Sequence, residues 1–111
     1  MNYYDMFSPL RVYIYGRGLG EMSVACEELL INLGCVVSDS LSCDLAVAPC
    51  HNQPIPATDT HTPKYGTLVF HPSLLPFYRG ADAIRWQFKN GEKIGGGTWF
   101  WCSTGLDNGD I

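Results

Sequence analysis

Residues 11–15 read Arg-Val-Tyr-Ile-Tyr, and residues 16–20 continue as Gly-Arg-Gly-Leu-Gly. The first run is β-branched and aromatic, which is typical of a strand, and it ends where the glycines begin. A helix is predicted from about Glu21 to Leu33, and Gly34 stands where the residue after a helix end belongs. A strand, a glycine turn and a helix in this order predict the first unit of an open α/β sheet.

Short elements follow this unit along the chain. Apolar runs predict strands at residues 35–37, 44–48 and 67–70, a helix at 81–89 and a last strand around 98–101. Four prolines stand among polar residues from Pro49 to Pro63, so an extended loop rather than a helix is expected there. We see no internal repeat, and residues 1–111 are predicted to form a single domain.

The composition narrows the classes of function. Hydrophobic residues make up 46% and charged residues 16% of the 111 residues, a balance that predicts a globular core. The formal net charge is -4 and there is no basic run, so neither nucleic acid nor a membrane surface is an expected partner. The first residues lack the pattern of a secretory signal, and we expect a cytoplasmic protein.

The cysteines predict free thiols. There are five, an odd number without a C-x-x-C pair, and a reducing compartment keeps such thiols unpaired. Cys43, Cys50 and His51 with His61 form the only imaginable zinc set, and their spacing matches no structural zinc pattern. We therefore expect no bound metal.

The glycine turn is weak as a dinucleotide-binding fingerprint. Gly16 and Gly18 fit its first two positions, but the third glycine is replaced by Glu21, whose carboxylate would face the pyrophosphate. Asp39 is a nominal candidate for the acidic residue expected about 20 residues further on. A tight connection between strand and helix is the favoured interpretation.

The most informative segment begins at His71. Pro72 biases His71 toward an extended conformation, so the strand should continue through the histidine. An imidazole would then project from the carboxyl end of a strand, where open α/β sheets bind ligands. Leu74 and Leu75 follow in a loop bracketed by prolines, where they either line an apolar pocket or bury themselves.

Asp107 is the candidate partner of His71, because it lies between glycine-containing turns. A carboxylate near the imidazole would favour its charged form. The pair could then stabilise an oxygen that becomes negative in acyl transfer, or orient and activate a water. The alternative is a satisfied polar residue at a strand end and an ordinary terminal turn.

Several consecutive blocks in the second half form a specific pattern. His-Pro-Ser-Leu-Leu-Pro at 71–76 and Gly-Leu-Asp-Asn-Gly-Asp at 105–110 are its strongest parts, and blocks at 63–66, 79–81, 90–93 and 100–101 accompany them. On these blocks, residues 63–111 resemble the folate-dependent formyltransferase family, most closely the formyl-hydrolase domains of 10-formyltetrahydrofolate dehydrogenases.

The resemblance implies a fold and an activity. The fold would be an α/β, reduced Rossmann-like, three-layer open sheet of the formyltransferase type, missing some βα units because residues 16–44 are too few for them. The protein would bind 10-formyltetrahydrofolate as formyl donor. It would hydrolyse the donor to formate and tetrahydrofolate, or transfer the formyl group to a small amine such as an amino sugar.

The resemblance also assigns the site residues. His71 and Asp107 would be the catalytic pair. The folate-binding residues would be Gln53, Ile55, Leu74, Leu75, Ser103, Thr104, Gly105 and Leu106.

Two departures from the family shape the expectation. Most transferases of the family carry Asn where this chain has Val69, and the hydrolase domains carry an aliphatic residue there, which favours water as acceptor. The missing amide also leaves open a catalytically weak or inactive folate-binding module. Methionyl-tRNA is disfavoured as the formyl acceptor because the chain has no basic surface.

A shortened sheet would expose the apolar side chains of Trp86, Trp99 and Trp101. We therefore expect a homodimer that covers them.

Overall fold

The computed structural model of this protein describes residues 8–49, 54–72, 75, 83–93 and 96–102. Within these residues the strands are β1 (Arg11–Ile14), β2 (Val36–Ser38), β3 (Leu45–Ala48), β4 (Thr67–His71) and β5 (Thr98–Trp101). The helices are α1 (Glu21–Asn32), α2 (Ala57–Thr60) and α3 (Ala83–Lys89). The predicted strands are confirmed, and none of the helices in these segments is long and apolar enough to cross a membrane.

The strands form a single sheet in the order β2-β1-β3-β4-β5. The first four strands in this order are parallel, and β5 runs antiparallel to β4. The carboxyl ends of β1, β3 and β4 therefore lie at one edge of the sheet, beside the amino end of β5. In open α/β sheets this edge binds ligands.

One face of the sheet is covered by α1. Val12, Ile14 and Val47 form a buried cluster on this face, and Cys26 and Leu30 of α1 pack against it. Because side chains alternate along a strand, the neighbouring residues of the same strands project to the opposite face.

The opposite face carries the second core cluster. Ala48, Val69 and Phe100 are register partners on three adjacent strands, and Ile55 joins them from the segment before α2. All four side chains are buried. With helix α1 on one face and the segment 54–60 on the other, the sheet is the middle layer of three.

The glycine turn connects β1 tightly to α1. Gly16 has φ of 68°, a left-handed conformation that glycine adopts without steric cost, and its carbonyl accepts a hydrogen bond from the Leu19 N–H at 2.9 Å. Arg17 forms ion pairs with Glu27 and with Asp39, the latter at 3.4 Å. Asp39, the nominal acidic residue of a dinucleotide fingerprint, thus pairs with an arginine of the turn.

The expectation of a helix-free loop between Pro49 and Pro63 was wrong, because α2 lies within it. Pro56 directly precedes the helix, where a missing backbone N–H costs nothing. Its carbonyl accepts hydrogen bonds from the Thr60 N–H at 2.9 Å and from the Thr60 hydroxyl at 3.1 Å. The prolines restrict where the helix begins instead of preventing it.

Residues 39–44 alone connect β2 to β3, although β1 lies between these two strands. Asp44 anchors the end of this connection: its side-chain oxygen accepts the Arg11 N–H at 2.8 Å, and its own N–H donates to the Arg11 carbonyl at 3.0 Å. This short crossover stands where the sequence predicted missing βα units.

We expect Phe100→Ala to lower the free energy of unfolding by about 3–5 kcal/mol, because it empties the centre of a buried cluster. Phe88→Ala is the matched control, since Phe88 is 87% exposed and Phe100 only 1%. The control should change stability by less than about 0.5 kcal/mol. Urea denaturation monitored by circular dichroism measures both, and equal losses would contradict the assignment of the core.

Candidate functional site

His71 lies at the carboxyl end of β4 and is 5% exposed. It projects to the same face as Val69, two residues earlier, and its register partner on β5 is Thr98. The prediction that the strand continues through the histidine is confirmed. The imidazole is thus held on a rigid element, at the edge where β1, β3 and β4 end.

Two side chains from other elements hold backbone groups of Pro72 and Leu75, which follow His71 in the chain. The Leu75 N–H donates to the Thr98 hydroxyl at 3.1 Å. The side-chain amide of Gln87, in α3, donates to the Pro72 carbonyl at 2.8 Å and to the Ala83 carbonyl at 3.1 Å. Of these three contacts, those at Leu75 and Pro72 fall within four residues of the histidine.

Two of the predicted folate-binding residues meet in this region. Ile55 belongs to the buried cluster beneath the edge, and Leu75 packs against the same cluster. Ile55 is 6% exposed, so most of its surface is in contact with the protein. Val69 is buried in the same cluster and presents an aliphatic surface two residues before His71.

The remaining predicted site residues lie outside the described part of the chain. These are the second catalytic candidate Asp107 and the folate-binding candidates Gln53, Leu74, Ser103, Thr104, Gly105 and Leu106. The pairing of His71 with Asp107 therefore stays a prediction.

Sequence reasoning missed Tyr15, which follows β1 at the same edge. Its ring packs against the cluster around Ala48 and meets the Tyr13 ring edge-on at a centroid distance of 5.0 Å. Burial raises the pKa of Tyr15 to about 12, and the negative charge of Asp59 adds to the shift. The side chain is therefore a neutral phenol at physiological pH. The alternation of Tyr13 and Tyr15 along a strand was the available signal.

An open cleft of about 830 Å³ begins beside His71 at Pro72. Its lining is Pro72, Ala83, Ile84, Arg85, Phe88 and Lys89. The volume is within the range of small-molecule sites, which is about 300–1,000 Å³. The cleft lies between Pro72 and helix α3, and His71 is not among these lining residues.

The cysteines that the structure describes are outside any disulfide; they are Cys26, Cys35, Cys43 and Cys102. Across the described segments, no group of three or more His, Cys, Asp or Glu side chains is placed to hold a metal ion. Cys50 and His51, part of the zinc set considered from the sequence, lie outside those segments.

Residues 35–111 match the family model described as formyl transferase. The cytosolic 10-formyltetrahydrofolate dehydrogenase of Xenopus tropicalis is 49% identical over 72 residues, which are 65% of this chain and 8% of that protein. The methionyl-tRNA formyltransferase of Alkaliphilus oremlandii is 42% identical over 73 residues, which are 66% of this chain and 24% of that protein. The chain thus spans a small part of these relatives.

A solved structure shows the same fold. HypX from Aquifex aeolicus, crystallised in complex with tetrahydrofolic acid, superposes on 92% of this chain with a TM-score of 0.77 and 27% identity. The matched part is 20% of that chain. Together with the family match, this confirms the predicted reduced Rossmann-like open sheet of the formyltransferase type.

Tyr15 should destabilise the folded protein at alkaline pH. Its raised pKa means that the folded state keeps the phenolic proton when the unfolded state has already lost it. Stability that is present below pH 10 is therefore lost as the pH rises toward about 12. We expect the Tm of the wild type to fall more steeply over this interval than that of Tyr15→Phe.

The interval from pH 7 to 9 is the control for the comparison of the wild type with Tyr15→Phe. Between pH 7 and 9 the phenol is protonated in both states, so the Tm difference between the two proteins should stay constant there. Parallel curves from pH 7 to 12 would contradict the raised pKa of Tyr15.

Proposed function

The chain belongs to the formyl transferase family, and we propose that it binds 10-formyltetrahydrofolate and removes the formyl group. One observation carries the proposal: the histidine of the family block at 71–76 is buried at the carboxyl end of β4, on the ligand-binding edge of the sheet. Folate as the bound molecule is supported by HypX, which was crystallised with tetrahydrofolic acid.

Hydrolysis is the proposed reaction. Water adds to the formyl carbon, the bond from that carbon to N10 breaks, N10 takes up a proton, and formate and tetrahydrofolate leave. His71 stabilises the negative oxygen of the addition intermediate or carries the proton, and Asp107 keeps the imidazole charged or oriented. No metal takes part in this proposal.

Val69 supports water as the acceptor. It is buried among Ala48 and Phe100 and offers no polar atom to the formyl oxygen. One missing oxyanion donor lowers a rate by about 10²–10³, so hydrolysis is expected to be slow.

Transfer to a small amine is the second candidate. It is favoured by the 42% identity over 73 residues to a protein whose name, methionyl-tRNA formyltransferase, describes a transferase. The net charge of -4 supports a small acceptor over tRNA. The alternative to both enzymatic functions is a protein that binds folate without turning it over.

Replacing the proposed catalytic residues tests the function. We expect His71→Ala and Asp107→Ala to lower formate release from 10-formyltetrahydrofolate at least about 100-fold, because each removes a group acting on the reacting atoms. Formate and tetrahydrofolate are quantified together, with and without a panel of amines. His61→Ala is the matched control, since His61 is exposed and lies outside the site, and it should retain activity.

The outcomes separate the candidates. Formate release without an amine would support hydrolysis as the function. Turnover only in the presence of an amine would support formyl transfer. Folate binding without turnover in any mixture would contradict both enzymes and leave the binding module.

We further propose a homodimer in the cytoplasm. Trp86, Trp99 and Trp101 are 51%, 38% and 42% exposed, and apolar surface of this kind favours burial against a partner. The cytosolic name of the Xenopus relative supports the location.

Sedimentation measures the assembly directly. We expect the wild type to sediment as a dimer at micromolar concentration, and Trp99→Lys with Trp101→Lys to shift it toward monomer because buried ammonium groups are costly. Val24→Lys, a change at an exposed residue of α1, is the control. A monomeric wild type would remove the dimer from the proposal.

A further inference from the structure

Two polar side chains outside the family blocks hold the backbone that follows the proposed catalytic histidine. They are Thr98, the first residue of β5, and Gln87, in the last turn of α3. Each reaches the backbone of the segment from His71 to Leu75 from a different direction.

Thr98 acts from the neighbouring strand. It is the register partner of His71 in the antiparallel ladder, and its hydroxyl accepts the Leu75 N–H at 3.1 Å. One residue of β5 therefore contacts both the strand end and the backbone four residues later. The Leu75 side chain then packs against the buried cluster beneath the edge.

Gln87 acts from the helix. Its amide nitrogen has two donors, and the two contacts go to the Pro72 carbonyl at 2.8 Å and the Ala83 carbonyl at 3.1 Å. Ala83 is 4% exposed, so the first residue of α3 is packed against the protein. The residue directly after His71 is thereby tied to the start of the helix.

We propose that Thr98 and Gln87 are positioning residues that set the direction of the His71 imidazole by holding the backbone at Pro72 and Leu75. This inference rests on the proposed function for its effect on catalysis. Catalytic groups need support from surrounding hydrogen bonds, since a displacement of about 1 Å lowers a rate by about 100-fold. Neither side chain is assigned a contact with the folate.

Thr98→Val tests the strand contact with little change in shape. The valine cannot accept the Leu75 N–H, so we expect hydrogen exchange of that amide to accelerate about three- to tenfold. The chemical shifts of the His71 ring should change, and formate release should fall about 10- to 100-fold. Thr98→Ser keeps the hydroxyl and should restore all three properties to near the wild-type values.

Gln87→Met tests the helix contact in the same way. It keeps the length of the side chain and removes both donors, and we expect it to shift the His71 ring resonances and to lower formate release about tenfold or more. Thr62→Val is the control for both variants: the hydroxyl of this exposed residue also donates to a backbone carbonyl, that of Thr58, and it has no part in the contacts at Pro72 and Leu75. It should leave the His71 resonances unchanged.

The Val69 amide distinguishes positioning from general destabilisation. If Thr98→Val accelerates exchange of the Val69 amide in the middle of β4 as much as that of Leu75, or if the His71 resonances stay unchanged, the inference is overturned. If the wild type itself releases no formate, the proposed function fails. The positioning role is then decided by the Leu75 exchange and the His71 resonances alone.

Discussion

The pairing of β3 between β1 and β4 is the constraint on which the rest of the structure depends. Ala46, Val47 and Ala48 are almost completely buried, and their backbone groups are shared with parallel strands on both sides. Buried backbone groups must be paired, so this strand has one stable register. The small side chain of Ala48 also packs in the same buried cluster as Ile55, from the segment before α2.

The chemistry of the site follows from this alignment. Parallel pairing brings the ends of β1, β3 and β4 to one edge, which places Tyr15 and His71 on the same face of the sheet although 56 positions separate them in sequence. The antiparallel β5 then adds Thr98 from the other direction. A histidine on a strand, closed in by a helix and a neighbouring strand, has less freedom than one on a loop, and this restriction is useful in catalysis.

The sequence match to the formyl transferase family covers less of the chain than the structural match to HypX does. The family model begins at Cys35, whereas the superposition with HypX covers 92% of the chain. The first strand, the glycine turn and α1 therefore keep the architecture without matching the family model in sequence. Their role is to supply one side of the sheet and a helix that covers it, and many sequences satisfy these demands.

The sequence by itself determined the local elements and the family. Propensity and glycine placement predicted β1 and α1, Pro72 predicted the extended His71, and the blocks after Pro63 indicated a formyltransferase fold. Only the tertiary structure decided that α2 forms after Pro56, that the half-buried Tyr15 has a raised pKa, and that Thr98 and Gln87 hold the backbone at Leu75 and Pro72. The physical reason is that local preferences act between neighbours along the chain, whereas these contacts depend on strand register and on segments distant in sequence.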